Sequence, residues 1–346
     1  MCTAEEKFNR VAEGNRLAIG ARFMVMGAPN RDDERGQVFI AERRPRNLIT
    51  PGQTWTNFGG QIPMNTIERF GSSVSVHEAR ILVGAPARSS SAGGAYILDY
   101  DEETGQWQNF ELLTPSVPVD DVHFGGSVAI NGDIAIIGAS ATTMTSNHAG
   151  SVYIFARHND EWSEVQVIDA PQNSTSLFGA ELAYDGTYLL IGAPMDQCDT
   201  TAEQCGAVYV YRRNEMNEFV YQSRLVADDG AGGDAFGASL DLDKSRIVVG
   251  AKHHQGGGAA YVFEADLAGT FTQQLKLQPD SLVDTAMFGH RVQVHGDSMA
   301  VSAPNQSYDR TPNAGAIYAY ELPTSLCFTD GRCHCVEGAA GDDCTQ

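Results

Sequence analysis

The groups in this sequence able to do chemistry are its histidines, paired carboxylates and cysteines. Nine histidines are scattered along the chain, and only His253 and His254 are adjacent. No His-Glu-x-x-His run and no Gly-x-Ser-x-Gly elbow occurs, so neither a zinc hydrolase nor a serine nucleophile is implied. Two neighbouring loop histidines are read as solvated side chains rather than metal ligands. The acid pairs Asp32-Asp33, Asp120-Asp121 and Asp228-Asp229 carry carboxylates suited to proton transfer, but adjacent acids in polar loops are ordinarily hydrated and idle. Two oxygen-rich stretches, Asp99-Tyr-Asp101-Glu-Glu103 and Asp228-Asp229-Gly-Ala-Gly-Gly-Asp234, are incomplete candidates for Ca²⁺, which takes roughly six to eight oxygen ligands. Ca²⁺ is the one cofactor these residues suggest. No catalytic residue is assigned, and the chain is read as a non-enzyme.

Seven cysteines stand at positions 2, 198, 205, 327, 333, 335 and 344. Cys198 and Cys205 bracket a short polar loop whose closure suits a disulfide, worth about 2.5 kcal/mol in loop entropy. The tail cysteines Cys327, Cys333, Cys335 and Cys344 lack the paired spacing of zinc knuckles, and Cys2 is left over. Persistent disulfides belong to oxidising compartments, and Asn173-Ser-Thr and Asn305-Gln-Ser are glycosylation sequons, so the protein is expected to be extracellular or at the cell surface. Met1–Phe8 holds no apolar run of the signal-peptide kind, and no stretch approaches the roughly 20 apolar residues that span a bilayer. A formal charge of −21 repels phosphate backbones and anionic lipid, which excludes nucleic acid as a partner.

The elements that must position these groups are set by an internal repeat. Phe-Gly begins at Phe70, Phe124, Phe178, Phe236 and Phe288, and a Gly-Ala-Pro-like triplet follows 14 residues later each time, at Gly84, Gly138, Gly192, Gly250 and Ser302. A sixth copy has Glu13-Gly14 before Gly27-Ala28-Pro29. Each copy continues through a variable polar loop into Gly-x-x-Tyr/Phe, ending at Phe39, Tyr96, Tyr153, Tyr209, Tyr261 and Tyr318. A further run opens with an aromatic at Trp55, Trp107, Trp162, Phe219 or Phe271. Each unit therefore reads as four strands. Asn131-Gly132 and Asp185-Gly186 are hairpin signals, while Ile134–Ile137 and Ile247–Val249 are strands buried on both faces. The fold class is all-β, a β-propeller of four-stranded antiparallel blades.

These motifs resemble the FG-GAP repeat family, which includes the β-propeller of integrin α subunits and many secreted microbial and algal proteins. The resemblance covers roughly residues 8 to 322. Six repeats lead us to expect six blades, with the seven of integrin propellers as the alternative. The fourth strand of blade six is expected from residues 3–11 or from Leu326–Thr329. The family's Ca²⁺ loop, Asp-x-Asp/Asn-x-Asp-Gly-x-x-Asp in a blade's first hairpin, is missing, because those hairpins are minimal here. The tail is similar to the second half of an EGF-like module, which implies a Cys335–Cys344 bridge and leaves Cys327–Cys333 as the nearest remaining pair. Domains are drawn at 1–324 for the propeller and 325–346 for the tail.

In related propellers the loops after Gly-Ala-Pro and before Phe-Gly share the ligand-binding rim. The candidates there are Arg31, Asp32, Asp33, His148, Asp196, His253, His254, Tyr308 and Arg310. The expected function is an extracellular adhesion or assembly module that binds protein or glycan, with self-assembly into a larger surface structure as a further possibility. The alternative is a lyase-like polysaccharide-active enzyme or its accessory domain.

Overall fold

The computed structural model describes residues 16–45, 53–63, 68–88, 92–117, 123–140, 149–171, 176–199, 203–266, 268–307 and 312–322. Within these, each repeat forms one antiparallel meander. Blade 1 holds β1 (Arg16–Ile19), β2 (Phe23–Ala28), β3 (Gln37–Pro45) and β4 (Gln53–Pro63), with a one-turn helix α1 (Arg31–Glu34) between β2 and β3. Blade 2 is β5 (Ser73–His77), β6 (Arg80–Gly84), β7 (Ala95–Asp101) and β8 (Gln106–Leu113). Blade 3 is β9 (Ser127–Asn131), β10 (Ile134–Ala139), β11 (Ser151–His158) and β12 (Glu161–Asp169). Blade 4 is β13 (Glu181–Tyr184), β14 (Tyr188–Ala193), β15 (Ala207–Arg213) and β16 (Phe219–Leu225). Blade 5 is β17 (Phe236–Asp243), β18 (Arg246–Ala251), β19 (Ala259–Ala265) and β20 (Phe271–Leu277). Blade 6 contributes β21 (Val292–His295), β22 (Ser298–Ala303) and β23 (Ala316–Glu321).

Strands pair in chain order within every sheet, and the fold is a six-bladed β-propeller. Both segments expected to complete blade 6, residues 3–11 and Leu326–Thr329, lie outside the described residues, as does the cysteine-rich tail. By packing, the chain divides into two compact units, Met1–Ala238 and Ser239–Gln346.

The hairpins follow from turn chemistry. Asn131 and Ile134 face each other across Gly132, which takes φ 58°. The four residues of Ile134–Ile137 are almost wholly buried, and their alternation serves two interfaces at once. Ile134 and Ile136 pack with Phe178, Leu189 and Ile191 of blade 4. Ala135 and Ile137 pack with Leu82 and Ile97 of blade 2. A strand sandwiched this way has no polar face, which explains the continuous apolar run. The outer strand pairs β3/β4, β7/β8, β11/β12, β15/β16 and β19/β20 each slip register at one point. Such a bulge increases the twist of the outer strands.

The Phe-Gly turn repeats with the same geometry. The residue before Phe is left-handed in five copies: Arg69 (φ 52°), His123 (49°), Leu177 (54°), Ala235 (57°) and Met287 (57°). Its carbonyl accepts a bond from the N–H three residues on, as in Ser72 to Arg69 (3.1 Å) and Ala180 to Leu177 (3.0 Å). The Phe ring is buried and meets the Tyr of the same repeat edge-on, at 5.5 Å for Phe70–Tyr96, 5.2 Å for Phe124–Tyr153, 5.3 Å for Phe178–Tyr209 and 5.2 Å for Phe288–Tyr318. The Phe N–H then reaches the preceding blade, donating to Arg35 O (3.1 Å), Ala149 O (3.1 Å), Cys205 O (3.0 Å) or Gly257 O (2.7 Å) for Phe70, Phe178, Phe236 and Phe288.

Two further contacts tighten the junction. Ser73 Oγ donates to Gly125 O (2.8 Å), Ser127 Oγ to Gly179 O (2.6 Å) and Ser239 Oγ to Gly289 O (2.7 Å), each into the next blade. In blade 4 that position is Glu181, which pairs instead with Arg16 of β1 at 3.2 Å. Innermost strands of blades 1 and 4 are thereby joined by an ion pair.

Glycine at position 84 is obligatory on distance alone. A Cβ there would stand 1.9 Å from Gly125 O. We expect Gly84→Ala to cost about 3 kcal/mol by forcing two blades apart, whereas Ala235→Gly, which relieves a left-handed alanine, should gain up to about 1 kcal/mol. Urea midpoints of the two variants should move in opposite directions; a gain for both or a loss for both would contradict the assigned backbone.

Candidate binding rim

The loops after the Gly-Ala-Pro triplets and those entering Phe-Gly lie at one end of the blades, because they bond to each other. The N–H of Ala87 donates to Glu68 O (3.2 Å), that of Met195 to Ser176 O (3.1 Å), and that of Asn305 to Ala286 O (3.1 Å). In blades 2, 4 and 5 the Tyr at the start of the third strand anchors the loop base from below. Tyr96 donates to Glu68 (2.7 Å), whose carboxylate also faces Arg88 at 3.8 Å. Tyr209 donates to Asp196 (2.7 Å), which accepts from Arg224 Nε at 2.9 Å. In blade 5 the same positions hold Tyr261, His254 and Lys276. There, Lys276 Nζ lies 2.8 Å from His254 Nε2, and Tyr261 Oη lies 3.5 Å from His254 Nδ1. Position for position, an acid and an arginine in blade 4 are replaced by a histidine and a lysine in blade 5.

Among the described residues, blade 4 carries a disulfide-closed loop. Cys198 and Cys205 form the expected disulfide, with Cα atoms 5.2 Å apart. Cys198 N–H donates to Glu203 O (2.8 Å), and Gly206 N–H to Asp196 O (3.0 Å). Arg224 holds the loop from outside through Asp199 and the Gln197 carbonyl. The following loop docks against it, Gly233 N–H donating to Gln204 O at 2.7 Å. Gln197, Asp199 and Glu203 remain exposed on top.

The candidate residues separate clearly. Asp196 and His254 are buried and hold loops in place. Asp33 and His253 are exposed; desolvation at the loop base, then Lys252, holds the His253 imidazole below its ordinary value. Arg31 and Asp32 open α1 on the rim. His148, Tyr308, Arg310 and the sequon Asn173 lie outside the described residues, as do Cys327, Cys333, Cys335 and Cys344. Asn305 is half-buried, its Nδ2 3.0 Å from Met287 Sδ.

The oxygen-rich stretches have other partners. Asp99 sits at the opposite end of its blade, where it accepts from Arg80 Nε (2.6 Å) and faces Arg157 (3.6 Å). The same Arg80 reaches Gly132 O in the next blade's first hairpin at 2.8 Å, and Arg246 repeats this with Glu264 (2.8 Å) and Gly296 O (2.9 Å). Asp101 caps its own turn, accepting from the N–H groups of Glu103 (2.8 Å) and Thr104 (3.3 Å). Hydrogen bonds from the Thr104 side chain and then the Glu103 backbone lower its pKa. Glu103, Asp228 and Asp229 are exposed. Asp234 is buried and accepts from Ala231 N–H at 2.9 Å. Among the described residues no group of three or more His, Cys, Asp or Glu side chains is placed to hold a metal ion, so no chemistry is derived through Ca²⁺. Arg224 and Lys276 are among the rim residues that motif reading missed, as are Glu68 and Arg88. Arg224 and Lys276 each stand 15 positions after their Tyr, at 209 and 261, a spacing that would have revealed them.

Residues 107–155 and 219–263 match the FG-GAP repeat family. Each stretch runs from the outer strand of one blade into the third strand of the next, and so contains a Phe-Gly turn. Two stretches of this six-bladed β-propeller are thus similar to FG-GAP repeats. The chain is 33% identical to Integrin alpha-11 of Homo sapiens over 132 residues, which make up 34% of this chain and 11% of that protein. Among solved structures it is similar to the β-propeller domain of the Trilobed protease from Pyrococcus furiosus, with a TM-score of 0.46 and 10% identity, over 95% of this chain and 85% of that one.

Removing the partner of a buried carboxylate costs about 3–5 kcal/mol, so Arg224→Met should lower stability by that order, and more than the roughly 2.5 kcal/mol expected of the paired Cys198→Ser and Cys205→Ser change. Thermal or urea unfolding checks the ranking; an Arg224→Met protein as stable as the parent would contradict the network. Burial and the Glu68 bond push Tyr96 up to about 12. Burial, then Tyr221, pushes Tyr211 up to about 12. A raised tyrosine pKa contributes stability that is complete below the unfolded value near 10 and is lost as pH rises from 10 to 12. The melting temperature should therefore stay level up to the mid-nines and fall above pH 10, less steeply in Tyr96→Phe and Tyr211→Phe.

Proposed function

We propose that this protein is an extracellular adhesion or assembly module whose rim loops bind a protein or glycan partner, without catalysing a reaction. One observation carries the reading. The loop bases are locked by buried Tyr-centred networks and a disulfide, while the tops, including Asp33, Asp199, Glu203 and His253, are exposed. A rigid scaffold that presents variable loops is the usual arrangement for recognition. The likeness to part of an integrin α subunit points the same way, although the match spans only 11% of that protein and its partners are not transferred with it. Among the described residues no helix is long and apolar enough to cross a membrane.

The test uses the immobilised protein against a panel of extracellular-matrix proteins and of neutral and acidic glycans. Binding to at least one of them should fall at least tenfold when Gln197→Ala and Glu203→Ala are combined, with the melting temperature unchanged. Turnover of any glycan, or full binding by the rim variant, would overturn the proposal.

A further inference from the structure

At the root of the blade 5 rim loop stand a nucleophile, a base and a group that orients the base. Lys276 Nζ lies 2.8 Å from His254 Nε2, and His254 Nδ1 lies 3.5 Å from Tyr261 Oη. The Tyr261 ring meets the imidazole edge-on, with centroids 6.2 Å apart and planes at 90°. A nucleophile within hydrogen-bond reach of a base, itself held by a third group, is the arrangement that activates an amine.

Blade 4 shows what has changed at these positions. There Asp196 accepts from Arg224. A carboxylate keeps its cationic partner charged, and a guanidinium does not give up its proton. In blade 5 an imidazole, which takes a proton, replaces the carboxylate. An amine, which becomes a nucleophile once it has lost a proton, replaces the guanidinium. One tautomer serves both contacts: the Nε2 lone pair accepts from Lys276, and the Nδ1–H faces Tyr261 Oη.

The base is fixed and the nucleophile is open. His254 is 9% exposed and Tyr261 is wholly buried. His254 N–H donates to Ala251 O (3.1 Å), and its carbonyl accepts from Gly258 N–H (2.8 Å). Gln278 Nε2 closes the loop on Gly258 O at 3.1 Å. Lys276, by contrast, is an exposed residue of the outer strand β20. The chain has four lysines, at positions 7, 244, 252 and 276, so a preference among them can be read directly.

We infer that Lys276 is a covalent attachment site for an aldehyde. His254 Nε2 takes a proton from the ammonium, and the freed amine attacks the carbonyl carbon. A proton moves from nitrogen to oxygen to give a carbinolamine. The imidazolium then returns its proton to the hydroxyl, which leaves as water while the nitrogen lone pair forms the C=N bond. The product is a protonated imine and neutral His254. This capture is binding without turnover, and it stands on the geometry of blade 5 rather than on the rim's recognition of a partner.

The probe is glycolaldehyde at limiting concentration with cyanoborohydride, which traps imines as stable amines, followed by peptide mass mapping. Lys276 should carry at least ten times the adduct found on Lys244 or Lys252. His254→Gln keeps an oxygen that accepts from Nζ but takes no proton, and should bring Lys276 down to the level of the other two. His253→Gln should leave the preference intact. Should the His254 variant fail to fold, the parent protein in guanidinium chloride takes its place, and there the preference should vanish. Equal labelling of the three lysines in the folded protein, an unchanged preference in His254→Gln, the same loss in His253→Gln, or a preference that survives unfolding would each overturn the inference.

Discussion

Everything in this molecule hangs on how closely the backbone of one blade can approach the next. The Phe-Gly turn sends its Phe N–H into the carbonyl before the preceding blade's Gly-x-x-Tyr, and the junction has no room for a Cβ where Gly84 meets Gly125. Left-handed residues before each Phe cost conformational energy, yet Arg, His, Leu, Ala and Met all accept that geometry. Burying the Phe ring against Tyr, in a wedge between two sheets, outweighs the strain. Because the same bargain is struck in each junction, the fold is a repetition of one local solution, and its loops are free to vary.

That freedom shows in the way one position changes its chemistry between blades. The site four residues after the triplet glycine is Asp196 in blade 4 and His254 in blade 5, and the residue 15 after the Tyr is Arg224 or Lys276. The first set is an ion pair beneath a tyrosine, and the second is a lysine-to-imidazole hydrogen bond beneath one. Both solve the same problem, satisfying a buried polar group at the root of a loop, where an unpaired one would be costly. Arginines do related work at the far end of the blades. Arg80 and Arg246 each tie an acid of their own blade to the next blade's hairpin carbonyl. Asp99, one of the acids that read as cation ligands, is thus engaged by guanidinium groups.

Much of this was legible before any coordinates. Blade count, strand order, hairpin positions and the Cys198–Cys205 bridge follow from spacings of 7 and 14 residues, distances over which turn chemistry and loop closure act. The rim was partly legible. Its loops could be located by their variability, but not the direction in which each side chain points. Asp196 and His254 look like exposed loop residues in a linear reading and are buried, because Tyr209 and Tyr261 come in from the neighbouring strand.

By itself, then, the sequence determined the repeating unit, since glycine, proline and aromatic residues act through contacts within one hairpin or one turn. Only the tertiary structure decided which polar residues are structural and which are exposed. It also decided that β12 and β16 expose valines while β20 exposes polar groups. Burial and pairing depend on what the adjacent strand or blade places opposite a residue, and that partner lies dozens of positions away along the chain.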